Sequence, residues 1–140
     1  MERLKLDLIQ LNKALNTLAK SFTTAQELTK TNNQDFILAA EDSIIQRFEY
    51  SYESFWKFIK KYLAIKHNLE DINSPRKVFH ACVSMEVCTL EEGNTFLDMV
   101  EDRNETSHTY NIESTRIILS DVPIYFSAMI VVVERFNKEL

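Results

Sequence analysis

Leu4, Leu8, Leu11, Leu15 and Leu18 recur at three- and four-residue intervals, the spacing that lines one face of an α-helix. The pattern predicts a first helix from about Glu2 to Ser21. Polar residues Thr23 to Gln34 follow. Thr31-Asn32-Asn33 is the expected break, and Thr24 to Thr29 are compatible with a continuation of the helix. A second helix, Asp35 to about His67, contains neither Gly nor Pro. It carries Phe36, Ile37, Ala40, Ile44, Phe48, Tyr52, Phe55, Ile59 and Leu63 in helical register. At about 1.5 Å per residue this spine approaches 50 Å, which implies an elongated bundle with apolar and aromatic surface left over for a partner.

Ser74-Pro75 is a start signal, with Ser as N-cap and Pro at the first helical position. It opens a third helix that should reach about Val87. Thr89 and Glu92 fit a capping box for a fourth. Its apolar stripe Phe96, Met99 and Val100 is continued by Arg103, Ser107 and Tyr110, so the core-facing line turns polar. Asn111 can cap a fifth helix with Ile117, Ile118, Val122, Tyr125, Phe126, Met129, Val132, Val133 and Phe136 inward, and Pro123 should kink or restart it near Ser120 or Asp121. No internal repeat, low-complexity tract or linker interrupts the chain. One Gly and two Pro among 140 residues, of which 45% are hydrophobic, leave too little turn punctuation for a many-stranded fold. The expected class is all-α: an antiparallel up-and-down bundle of four to five helices with one long spine helix, forming a single domain over residues 1–140.

A formal charge of −5 argues against a general nucleic-acid coat, whose affinity comes from cationic neutralisation of phosphate. Lys57, Lys60, Lys61 and Lys66, with Arg76 and Lys77, form either a local basic patch or a solvated helical face. Cys82 and Cys88 match neither a redox pair nor a zinc knuckle. They read as free core thiols in a reducing cytosol, and a zinc site with His80 would lack a fourth ligand. His80 reads as a core histidine and His67 as a surface one. No segment approaches the roughly 20 apolar residues of a membrane span, and the expectation is a soluble cytoplasmic protein with no cofactor and no metal.

Chemistry concentrates in Arg103-Asn104-Glu105-Thr106-Ser107-His108-Thr109-Tyr110. Arg offers a fixed charge and a planar donor fork suited to phosphate, and His exchanges a proton near neutral pH. Asn104 and His108 share a helical face, as do Arg103 and Tyr110. Arg103 and His108 sit about 140° apart around an ideal helix. Either the helix is distorted near Ser107, or the two residues converge on one ligand from different angles, or a second copy of the chain completes the site across a two-fold axis; we favour the last. On the spine, Glu49 and Glu53 lie one turn apart in an aromatic segment and call for a cation. Arg103 is the candidate partner, against the alternative that Glu53 pairs with Lys57 and Glu49 faces water. A purely structural reading, with Arg103, Asn104 and His108 as an interface hydrogen-bond network, also stands.

Three segments resemble the helical nucleotidyltransferase substrate-binding proteins of the HEPN group. They are Arg47-Phe48-Glu49-Tyr50 to Trp56-Lys57, Ser74-Pro75-Arg76, and Asp102 to Tyr110, and the likeness covers roughly residues 35 to 120. Phe96 departs from the pattern, where Trp is usual, and the stretch before helix four is poor in Gly. The resemblance implies a homodimer with the Arg-x4-His-x-Tyr motif near its interface, forming a heterotetramer or larger assembly with a minimal nucleotidyltransferase encoded nearby. It further implies a metal-independent ribonuclease toxin: Arg103 binding the scissile phosphate of RNA, His108 as acid/base, Asn104 orienting it, and Tyr110 accepting AMP from the partner. Glu49, Glu53, Arg47 and Ser107 would bind substrate or support the site. The alternative is a non-catalytic subunit that presents a nucleotide or other substrate to the nucleotidyltransferase. The chain itself has no Gly-Ser loop and no Asp-x-Asp pair, so it does not read as the nucleotidyltransferase.

Overall fold

The structure, a computed structural model, describes residues 2–108 and 112–140, and the side chains of residues 2–105 and 115–140. It is a bundle of five helices: α1 (Glu2–Thr29), α2 (Gln34–His67), α3 (Pro75–Ser84), α4 (Leu90–His108) and α5 (Ile112–Glu139).

Side-chain chemistry at the helix ends sets these boundaries. The first helix does continue through Thr29, and Asn32 then adopts φ 54°, which breaks it. Asn33 caps α2 by accepting from the Phe36 N–H. At the other end Asn68 is left-handed, and the N–H groups of Asn68 and Leu69 both reach the Leu63 carbonyl, closing α2 in a Schellman-type turn. Ser74 caps α3 through the Lys77 N–H, with Pro75 in the first turn. Thr89 and Glu92 form the reciprocal capping box at the start of α4.

Cross-helix pairs give the register. Asp7 meets Lys61 and the Thr17 carbonyl meets Arg47, so α1 and α2 are antiparallel. Glu92 with Arg135 and Asp102 with Tyr125 make α4 and α5 antiparallel. One connection is not a hairpin: Phe79 packs beside Phe55 and Arg76 acts on Tyr52, so α3 runs in the same direction as α2. Residues 68–74 carry the chain back along the spine. This crossover puts the start of α3 level with the middle of α2, where the site lies.

The apolar stripes meet in one cluster. Phe48, Phe55, Phe79, Phe96 and Met99 have no exposure, and Phe55 contacts Phe79 and Phe96 with ring centroids 6.0 and 4.9 Å away. All five leucines of the α1 stripe are buried. Phe36 and Ile117, expected inside, are exposed instead. Phe36 stands in the first turn of α2, before that helix enters the core.

Several local expectations are corrected. The third helix stops at Ser84, and Glu86, at φ 60°, folds the chain back so that the N–H groups of Val87 and Cys88 both donate to the Cys82 carbonyl. This return brings Cys82 and Cys88 together as a buried disulfide with Cα atoms 5.4 Å apart, not as free thiols. His80 is exposed, because the buried face of α3 is Val78, Phe79 and Cys82. Pro123 does not interrupt α5. A proline inside a helix costs about 3 kcal/mol, and burial of Ile118, Val122, Tyr125 and Met129 on both sides of it offsets that cost. Contrary to expectation, Thr115–Glu139 of α5 is long and apolar enough, by length and composition alone, to cross a membrane; its inward stripe packs into the bundle core.

Gly93 is buried in α4, where a Cβ would run into the Val83 side chain. Gly93→Ala gains about 1 kcal/mol of helix propensity against an overpacking cost of about 1–3 kcal/mol. The expected result is a melting temperature a few degrees lower, restored when Val83→Ala is added. A variant that melts higher by itself would contradict this close approach.

Candidate functional site

The site is assembled at the level of Tyr52, midway along the spine. From α4, the buried run Phe96, Met99 and Val100 passes at the next turn to Arg103, which is half-buried, while Asn104 is exposed. From α3, Arg76 forms an ion pair with Glu101 of α4. Both guanidiniums act on the buried Tyr52 phenol. Burial and the Glu53 charge push that phenol up to about 12, and Arg103 and Arg76 oppose the rise. Two arginines far apart in sequence thus act through their charge on one phenol of α2.

Glu101 also borders an acidic cluster between α4 and α5. Tyr125 donates a 2.5 Å hydrogen bond to Asp102, and Asp98, Glu101, Asp102, Asp121 and Tyr125 line a cavity of about 300 Å³. Burial raises the Asp102 carboxyl above its ordinary range, as do the hydrogen bond and charge of Asp121, while the Tyr125 hydroxyl opposes them. The Tyr125 phenol is itself held far above its usual value by burial and by Asp102.

A carboxyl that holds its proton more tightly folded than unfolded loses stability as pH rises from the unfolded value through the folded one. Asp102→Asn keeps an acceptor for Tyr125 and removes the charge. It should therefore melt above the unsubstituted protein at pH 7, with the gap closing as pH falls toward about 3.9, the ordinary Asp value. Thermal melts at pH 7 and pH 4 check this, and a variant that melts lower at pH 7 would contradict it. Glu92 has the opposite sign. Burial pulls its carboxyl up, but Arg135 and Thr89 hold it below the usual value, so its contribution is lost as pH falls through that lowered value.

The expected site residues divide into three groups. Arg103 is where the stripe predicts, and Glu49 is half-buried on α2, one turn from Glu53. Glu53 takes the alternative partner: Lys57 Nζ is 3.3 Å from its carboxylate and the Trp56 indole donates to it at 3.2 Å. Arg47 donates to the Thr17 carbonyl at 2.8 Å, so it ties the spine to α1. The side chains of Ser107 and His108, and the whole of Tyr110, lie outside the described residues, as does the Asn111 cap. The backbone of α4 is helical through His108. Distortion near Ser107 therefore does not reconcile Arg103 with His108. The sequence reading missed Arg76, Tyr52 and the Asp102–Tyr125 pair. Arg76 lies in the Ser74-Pro75-Arg76 segment, but its meeting with Glu101 of α4 depends on the return of the chain over residues 68–74.

A family model described as nucleotidyltransferase substrate binding protein like matches residues 6–138. The chain belongs to this family. A protein of known crystal structure from Thermus thermophilus is 36% identical, with a TM-score of 0.75 over 89% of this chain and 97% of that one. A tri-AMPylated HEPN toxin from Shewanella oneidensis, solved in complex with an MNT antitoxin, superposes with a TM-score of 0.75 over 96% of each chain at 15% identity. A mutant of the MntA–HpeT toxin–antitoxin pair matches at 0.68, with 17% identity over 91% of this chain and 97% of that one. These two share the fold of the family member described here. No curated protein matches the sequence.

Proposed function

We propose that this member of the family is the HEPN-type partner of a minimal nucleotidyltransferase, and that it is a ribonuclease toxin silenced when the partner adenylylates Tyr110. The observation that carries the reading is Arg103. The apolar stripe of α4 ends in a half-buried guanidinium whose charge, with that of Arg76, acts on the buried Tyr52 phenol, with His108 one and a half turns further along the same helix. In the reaction, the ribose 2′-hydroxyl attacks the adjacent phosphorus and the bond to the 5′-oxygen breaks. His108 handles the proton, and Arg103 stabilises the charge that builds on the phosphoryl oxygens. Asn104, one turn before His108 on the same face, orients the imidazole.

Arg103 and His108 diverge on a straight α4, so a second copy supplies the missing group across a two-fold axis. Support for such a contact comes from the outer face of α5, where Ile117, Ile124 and Val131 are 61%, 60% and 49% exposed. Their seven-residue spacing forms one apolar stripe. The test is RNA cleavage by the purified chain in the presence of EDTA. Cleavage that leaves 2′,3′-cyclic phosphate ends supports the reading. A dimer that binds the nucleotidyltransferase but cuts no RNA would instead be the subunit that presents a substrate.

A further inference from the structure

We propose that Arg76 is a second phosphate-binding residue of the site, and that Glu101 holds its guanidinium until an RNA phosphate displaces it. This rests on the ribonuclease reading and extends it to a residue outside the Arg103–Tyr110 motif. The Ser74 cap and Pro75 fix where α3 begins, and the parallel course of α3 and α2 sets Arg76 level with Tyr52. Arg103 of α4 acts on the same phenol through its charge. Two positive charges from separate helices thus bear on one phenol, and a phosphodiester entering there would meet both.

The present partner of Arg76 is easily exchanged. Its side chain and that of Glu101 are 51% and 60% exposed, and an ion pair so open to water contributes little net stability. A phosphate offers the guanidinium the same paired oxygens as the Glu101 carboxylate.

Fluorescence anisotropy with a labelled 2′-O-methyl oligoribonucleotide, which binds but lacks the attacking hydroxyl, tests this on the full chain over a range of salt concentrations. Arg76→Ala should weaken binding about tenfold and reduce the magnitude of the logarithmic salt slope by about 0.7 to 1. Arg76→Lys should keep the slope, since the charge remains, and Glu101→Gln should tighten binding severalfold by removing the competing carboxylate. Unchanged affinity and slope in a folded Arg76→Ala protein, or weaker binding by Glu101→Gln, would overturn the proposal while leaving the ribonuclease reading intact. No binding by the unsubstituted protein would overturn that reading, and this inference with it.

Discussion

His108→Ala is expected to lower RNA cleavage by about 100-fold or more, the contribution typical of a positioned acid/base, and to abolish growth inhibition on expression. The variant should remain helical and keep its oligomeric state, since alanine is the best helix former and α4 is a regular helix through this position. Arg103→Ala should produce a loss of similar size for a different reason: it removes the charge that meets the developing phosphorane, an effect of about 100- to 1000-fold where such donors have been deleted. The two losses should not multiply, because groups acting on one transition state are not additive. Assays at equal protein concentration, with circular dichroism as the folding control, check this. Retained cleavage or toxicity in His108→Ala would remove His108 from the mechanism.

Tyr110→Phe is expected to eliminate AMP incorporation by the nucleotidyltransferase while leaving cleavage intact. Transfer forms a bond between the phenol oxygen and the α-phosphorus of ATP, with pyrophosphate as leaving group and the phenol proton passing to a base. Phenylalanine has no oxygen to form that bond. The variant should therefore stay toxic even when the partner is present, whereas the unsubstituted protein should be silenced. The proposed silencing would have a simple physical origin. Tyr110 lies seven residues from Arg103, on the same helical face if the helix continues, and an adenylyl phosphate there would compete with RNA for that guanidinium. Continued AMP incorporation in Tyr110→Phe would refute the assignment.

Features encoded in short stretches of chain were legible from the residues. The Ser74-Pro75 start, the Thr89–Glu92 capping box and the Asn33 break rest on side chains bonding to backbone within three residues. The α1 leucines and the α4 stripe were legible for the same reason, since periodicity is local. What escaped depends on contacts between distant segments. Pro123 carries a local cost that burial along α5 overrides, and Cys82 meets Cys88 only because a left-handed Glu86 reverses the chain between them. The site divides in the same way. Arg103 was legible from the stripe that it ends, whereas Arg76 meets Glu101 through a crossover that no periodicity announces. Glu53 had two cations within reach on paper. The one on its own helix, four residues on, is held at 3.3 Å, because an i,i+4 pair needs no tertiary arrangement to form.

The most direct test of regulated toxicity is the intact mass of the protein after expression with and without the proposed nucleotidyltransferase partner, with any added AMP located by peptide fragmentation. The account predicts AMP on Tyr110 only when the partner is present. A protein that binds the partner and yet emerges unmodified would contradict it, and would mark the chain as the substrate-presenting subunit of a two-component enzyme.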